Sequence, residues 1–133
     1  MAAQRHAHGT FEVNLNPLKP YNNDDGASLG RMSIDKRFHG DLEATSKGEM
    51  LTAMTRIEGS AGYVAIERIT GILHGRRGTF VLLHSGTTNR GAQQLNISVV
   101  PDSGTDELVG VTGMMRIVIE NGKHSYDFEY SHR

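Results

Sequence analysis

Two ionisable residues, Glu67 and His84, lie within apolar segments of this sequence that predict β-strands. A carboxylate beside an imidazole in a medium of low dielectric constant can transfer protons. In the strand register derived below, the two residues are diagonal neighbours on the inner face of adjacent strands, with backbones about 7 Å apart. Their side chains can therefore meet, and Glu67 and His84 are the candidate catalytic residues.

The same pair has a structural interpretation that needs no chemistry. A buried acid and a buried imidazole can satisfy each other, or share a trapped water, inside a packed protein. Alternatively, the pair and its neighbours on the inner face could hold a small molecule. The candidates for such a ligand-binding set are Glu67, His84, Tyr63, Thr52, Met50, Leu82 and Tyr126.

We expect neither a metal site nor a cofactor. The sequence has no cysteine, and a catalytic zinc needs three protein ligands. His74 and His84 have opposite strand parity, and no further His, Asp or Glu completes a set with either of them. His6 and His8 could pick up adventitious metal, but they lie in residues 1–8, a segment that we predict to be a flexible N-terminal tail.

Turn signals determine which residues face inward. Three dipeptides predict two-residue turns: Glu58-Gly59, Arg76-Arg77 and Asn121-Gly122. The first turn places Met54 opposite Tyr63, and the second places Ile69 opposite His84. Because side chains alternate along a strand, these registers put Glu67 and His84 on one common face.

Sixteen glycines against three prolines, with short runs rich in Val, Ile, Thr and Tyr, indicate an antiparallel all-β protein. The inner faces of successive hairpins form one apolar surface, and closing the sheet would remove its edges. We therefore predict a single domain over residues 9–131, a closed antiparallel barrel of about eight strands. A bulge at Lys47-Gly48 would bend its third strand. At most one short helical turn is expected, near Thr105-Val109.

The composition narrows the class of partner. The formal net charge is -1 and the basic residues are scattered, so neither nucleic acid nor a membrane surface is an expected partner. The N-terminal residues contain no apolar run typical of a signal peptide, and no later segment is long and apolar enough to span a bilayer. We expect a cytoplasmic protein.

Apolar residues also lie on the predicted outer face of the central hairpin, where solvent would be expected. They are Val64, Ile66, Ile72, Val81 and Leu83. A patch of this kind is typical of a protein contact. We favour a homo-oligomer, with a dimer first, built through an isologous interface. The alternative is that residues 9–30 of the same chain cover the patch.

Several motifs carry a family resemblance: GDLEATSKGEMLTAMT, GSAGYVAIERITGILHGRRGTFVLLHSG, VVPDSGTDELVGVTG and DFEY. Through them, the chain from Gly9 to Ser131 closely resembles the bacterial domain-of-unknown-function family 3224. The resemblance implies a bacterial protein with an allene oxide cyclase-type barrel of eight antiparallel strands. It implies no activity and no catalytic residues.

Three functional hypotheses are compatible with this sequence. In the first, the barrel binds a small, largely apolar ligand whose polar end is oriented by Glu67, His84 and Tyr63. In the second, the protein is an isomerase or cyclase in which Glu67 abstracts a proton and His84 stabilises or reprotonates the product. In the third, the barrel is filled and the protein is a structural homo-oligomer.

Overall fold

The computed structural model describes residues 4–20, 22 and 26–132. Eight strands form one closed antiparallel barrel in which each strand pairs with its neighbours in sequence and β8 returns to β1. The strands are β1 (Gln4–Leu18), β2 (Ser28–Gly40), β3 (Leu42–Met54), β4 (Ala61–Leu73), β5 (Arg76–Asn89), β6 (Ala92–Val99), β7 (Thr112–Glu120) and β8 (Lys123–Ser131). The fold class predicted from the sequence is confirmed.

The only helical turn in the described part of the chain is a 3-10 turn at Asp106–Leu108. It lies within the predicted range, but Thr105 does not cap it with its side chain. The Thr105 hydroxyl instead accepts a hydrogen bond from the Thr79 backbone N–H at 3.0 Å. Across the described residues there is no helix of the length and apolarity that a membrane span requires.

The first strand begins earlier than predicted. Residues 4–8 pair with the end of β8, in a register that sets His8 opposite Asp127. Ala7 is completely buried between the exposed His6 and His8. The prediction of a flexible tail over residues 1–8 is therefore wrong for residues 4–8. The sequence gives only a weak strand signal there, since the alternation rests on one small apolar residue, Ala7. Residues 1–3 lie outside the described residues.

Two predicted registers are shifted by an even number of residues. Thr52, rather than Met54, lies opposite Tyr63. The turn between β4 and β5 is formed at His74-Gly75 rather than at Arg76-Arg77, and His84 pairs with Ala65. A shift by an even number leaves each side chain on its predicted face. The turn predicted at Asn121-Gly122 is confirmed.

The predicted bulge at Lys47-Gly48 is absent. Both residues pair one-to-one with β2 and with β4, so β3 continues through them without interruption. Gly48 has a different role, because a Cβ at this position would lie 2.2 Å from the Ile66 carbonyl oxygen and 2.8 Å from the Glu67 Cβ. Glycine at position 48 therefore allows the Glu67 backbone to lie close against β3.

The two ends of the barrel differ. At one end, Leu108 and Val111 from the connection between β6 and β7 are buried in the core and close the lumen. At the opposite end, which we call the mouth, the β3–β4 and β5–β6 connections surround an opening. Two residues of the inner face, Met54 and Leu95, are 59% and 47% exposed there. The lumen is therefore packed at one end and open at the other.

The outer face of the central hairpin is exposed. Val64, Ile66 and Leu83 are 47%, 56% and 42% exposed, while Ile72 and Val81 are half-buried. The alternative that residues 9–30 cover this face is wrong for the described part of that segment. Residues 9–18 and 28–30 belong to β1 and β2, which form part of the barrel wall, and Ile66 stays 56% exposed although Leu18 lines a shallow depression with it.

Candidate functional site

Glu67 and His84 are in contact inside the barrel. His84 Nε2 lies 2.5 Å from Glu67 Oε2, and the two side chains are 4% and 0% exposed. The same carboxylate oxygen accepts a hydrogen bond from Lys36 Nζ at 2.9 Å. The Tyr63 hydroxyl lies 3.3 Å from His84 Nδ1. Four residues from three strands thus form one polar network, and the predicted contact between Glu67 and His84 is present.

The hydrogen-bond partners limit where the protons can lie. The Glu67 carboxylate is held by a lysine and accepts hydrogen bonds, so His84 Nε2–H is the donor to it. When the imidazole is neutral, Nδ1 is the acceptor and the Tyr63 hydroxyl donates to it. In that state the network runs from the tyrosine hydroxyl through the imidazole to the carboxylate.

Charge interactions keep Glu67 ionised. Burial on its own would raise the pKa of Glu67, but the hydrogen bond from His84 and the positive charge of Lys36 outweigh burial and lower the pKa to about 2 from an ordinary value of 4.5. Because this pKa is lower in the folded state, the network stabilises the fold above pH 4.5. That contribution is lost as the pH falls from 4.5 towards 2.

Two buried oxygen atoms next to the network have no hydrogen-bond partner among the described residues. They are Glu67 Oε1 and Ser46 Oγ. Ser46 lies directly opposite Lys36 in the register and so faces the same part of the lumen. Buried polar atoms are usually satisfied by protein, water or ligand. This part of the lumen therefore has unused capacity to accept hydrogen bonds.

A cavity of about 300 Å³ opens at the mouth, above the network. Its wall includes three of the predicted ligand-binding residues, Met50, Thr52 and Tyr63, together with Leu95 from β6. The volume is at the lower end of the range for small-molecule pockets. Tyr63 belongs both to the cavity wall and to the network, and it connects the two.

The two remaining predicted ligand-binding residues lie elsewhere. Leu82 pairs with Glu67 across the strands and is completely buried in the core. The Tyr126 hydroxyl lies 2.9 Å from the His39 carbonyl oxygen and 3.2 Å from that of Leu42 at the β2–β3 turn, so its single hydrogen is shared between these two acceptors. Burial raises the pKa of Tyr126 to about 12, so its hydroxyl stays protonated as a structural donor. Neither residue lines the cavity at the mouth.

Lys36 is the member of the network that is not predicted from the sequence. It is 8% exposed, and its ammonium group lies 5.1 Å from the centre of the Phe11 ring. A signal was present, because Lys36 alternates with Ile34 and Phe38 on the apolar face of its strand. A lysine at such a position requires a buried partner, and Glu67 provides it.

The fold and this network define a class of protein: a small closed β-barrel with a polar network in its lumen and a cavity at one end. The chain belongs to the family described as "Protein of unknown function (DUF3224)", whose model matches residues 7–130. The resemblance to this family proposed from the sequence motifs is confirmed.

A solved relative supports this assignment. The chain is similar to a crystal structure of a protein with unknown function from the same family, from Shewanella oneidensis MR-1. The two share 49% sequence identity with a TM-score of 0.95, and the match covers 98% of each chain. No curated protein matches the chain.

Replacing Lys36 with Met should lower the free energy of unfolding by about 3 kcal/mol, because it leaves a buried carboxylate without its cation. Urea unfolding monitored by circular dichroism measures the change. The control is Arg116→Met, which removes an exposed ion pair with Asp127 between β7 and β8. This control should leave the unfolding midpoint almost unchanged. Equal stability of Lys36→Met and wild type would show that Glu67 is not held as an ion.

Proposed function

We propose that this protein binds a small, mainly apolar molecule that carries a hydroxyl group, in the cavity at the mouth of the barrel. The observation that carries the proposal is the position of Tyr63, which lines an apolar cavity and is hydrogen-bonded to a buried polar network. Pockets of this composition bind through apolar contact and use a few polar groups for orientation. The exposed inward-facing residues Met54 and Leu95 supply the apolar contact.

The direction of the network supports a hydroxyl as the polar group of the ligand. With a neutral His84, the Tyr63 hydroxyl donates its hydrogen to the imidazole, and its oxygen keeps lone pairs that can accept a hydrogen bond from a ligand. Burial, followed by the charge of Glu67, raises the pKa of Tyr63, which keeps this hydroxyl neutral. An alcohol can donate to the Tyr63 oxygen, whereas a ketone or an aldehyde has no proton to donate. Thr52 adds a second hydroxyl on the same wall.

The alternative of a structural protein with a completely filled barrel has less support. The packed half of the lumen contains Phe38, Phe80 and Phe128, which are all fully buried. The half nearest the mouth instead leaves Met54 and Leu95 in contact with solvent. Covering apolar surface at the mouth would stabilise the fold by about 25 cal/mol for each Å². A barrel that served only as a scaffold would therefore be expected to cover these residues.

Native mass spectrometry of the protein purified from its own host should find a retained molecule in the mass range of small lipids or terpenoids. In a second measurement, n-decanol should bind the delipidated protein and raise its melting temperature. Thr52→Phe should abolish both effects, because the new ring fills the cavity into which Thr52 faces.

The control is Thr45→Phe, which makes the same substitution at an exposed position on the outer face of the same strand. This variant should bind n-decanol like the wild type. If Thr52→Phe binds as well as Thr45→Phe, the cavity is not the binding site. The proposal is refuted if native mass spectrometry finds no retained molecule and the wild-type protein does not bind n-decanol.

A second candidate function is proton transfer, and the contact between His84 and Glu67 at 2.5 Å favours it. The low pKa of Glu67 gives Glu67 and His84 catalytic roles that differ from those expected from the sequence. A carboxylate with a pKa of about 2 is a weak base at neutral pH, so Glu67 would orient His84 rather than abstract a proton. His84 would then exchange protons with the ligand through Tyr63, which separates it from the cavity.

This candidate predicts exchange of the protons next to a carbonyl group. Methyl nonyl ketone incubated with the protein in heavy water should gain deuterium faster than in buffer, as measured by proton NMR. His84→Gln should remove the acceleration, and His74→Gln, at the opposite end of the barrel, should retain it. An unaccelerated wild-type reaction leaves binding without chemistry as the function.

We further propose that the protein forms a homodimer through its outer apolar patch, which we define as Leu51, Val64, Ile66 and Leu83. All four side chains are at least 42% exposed, and together they line one shallow depression on the barrel wall. The exposed pair of Arg31 and Glu49 borders the patch. In a two-fold contact, each of these charges can face its opposite on the second copy, and this self-complementarity favours an isologous dimer.

Sedimentation velocity should therefore give the mass of a dimer for the wild-type chain. Ile66→Glu should give a monomer, since it introduces two unpaired carboxylates at the centre of the interface. Val118→Glu is the control, because Val118 is similarly exposed, at 46%, on β7 outside the patch. A wild-type monomer at high protein concentration would contradict this proposal.

A further inference from the structure

Two histidines and a carboxylate meet on the outer surface, where β1 pairs with β8. His6 Nδ1 lies 3.0 Å from Asp127 Oδ1, and His8 Nδ1 lies 3.5 Å from the same oxygen. Within the described part of the chain, this is the group of three donor residues whose ligand atoms are close enough to hold a metal ion. From this arrangement we infer that His6, His8 and Asp127 bind a divalent transition-metal ion.

The strand geometry brings these three residues together. His6 and His8 are two positions apart on β1, so both point to the outer face. Asp127 lies opposite His8 in the β1–β8 register. The two imidazole rings are nearly parallel, with an angle of 8° between their planes and 5.8 Å between their centres. The donors are thus carried by paired strands and not by a loop.

All three donor atoms lie within 4.8 Å of one another, and the two nitrogen–oxygen spacings suit a metal of the zinc type. With metal–ligand bonds of about 2.0–2.1 Å, the donors of a tetrahedral site lie roughly 3.3 Å apart. The two nitrogen–oxygen distances, 3.0 and 3.5 Å, lie on either side of this value. Imidazole nitrogen together with carboxylate oxygen is a donor set that favours Zn²⁺, Ni²⁺ or Cu²⁺ over Mg²⁺ or Ca²⁺.

The surrounding charges also favour a cation. Glu129 Oε2 lies 3.3 Å from His6 Nε2, and the Asp41 carboxylate accepts a hydrogen bond from the His8 backbone N–H at 2.9 Å. Arg116 is the cation next to the group, 3.4 Å from the second oxygen of Asp127. Three carboxylates against one guanidinium leave a local excess of negative charge. The contact with Arg116 leaves Asp127 Oδ1 directed at the two imidazoles.

A metal ion held here would join the N-terminal end of β1 to β8. These strands close the barrel, so binding should stabilise the folded state over the unfolded state. The site lies on the outer face, whereas the cavity and the Glu67 network lie in the lumen. Metal binding is therefore independent of the ligand proposed for the cavity.

Isothermal titration of the purified full chain with zinc chloride at pH 7.5 should show binding with one ion per chain. His8→Ala and Asp127→Asn should each weaken it by about tenfold or more, since even losing an outer partner of a ligand often costs 10- to 100-fold in affinity. The melting temperature should rise with Zn²⁺ in the wild type and not in these variants.

His39→Ala is the matched control, because His39 is a surface histidine paired with a carboxylate, 2.7 Å from Glu12, outside the group. This variant should bind zinc like the wild type. With Cu²⁺ as a spectroscopic probe, electron paramagnetic resonance should show two coordinated nitrogens in the wild type and one in His8→Ala. Absence of binding at millimolar Zn²⁺, or equal binding by His8→Ala and His39→Ala, would overturn the inference.

Discussion

The charge on Glu67 is the constraint on which the interior of this barrel depends. A carboxylate withdrawn completely from water is tolerated only where cations and hydrogen-bond donors replace the lost hydration. Lys36 from β2 and His84 from β5 meet this requirement on the same oxygen atom. Three strands must therefore hold one fixed register, because a shift of one residue would send a member of the network outward. Gly48 contributes by letting β3 and β4 approach closely beside the carboxylate.

The network also divides the lumen into two parts. Towards the closed end, aromatic rings pack on one another, with Phe80 and Phe128 stacked at 5.5 Å between ring centres. Towards the mouth, the inner face carries smaller or more flexible residues, such as Thr52 and Met54, and the cavity remains. Tyr63 lies at the boundary, with its ring in the cavity wall and its hydroxyl on His84. Tyr63 is thus the member of the network that reaches the open part.

The strand alternation of the sequence was sufficient to predict the barrel and the inward position of Glu67 and His84. Even-numbered register errors left this result intact, since parity and not exact pairing decides the face. Other features could not be derived in this way. The strand at residues 4–8 depends on Ala7 filling a space that only the closed barrel creates. The glycine at position 48, which predicted a bulge, is required instead by a close approach of β4, and local sequence does not encode that contact.

Stability alone does not require a buried ion pair at this position. Replacing such a pair with well-packed apolar residues is often neutral or stabilising, and Leu82 shows that β5 accepts leucine directly opposite Glu67. A barrel shaped only by packing could therefore continue its apolar core through this layer. Instead, the ionised carboxylate fixes the tautomer of His84, and His84 in turn orients the hydroxyl of Tyr63 at the cavity. Under the proposed ligand-binding function, the network presents this hydroxyl to the ligand, and the specificity of the site offsets the folding cost of the buried charge.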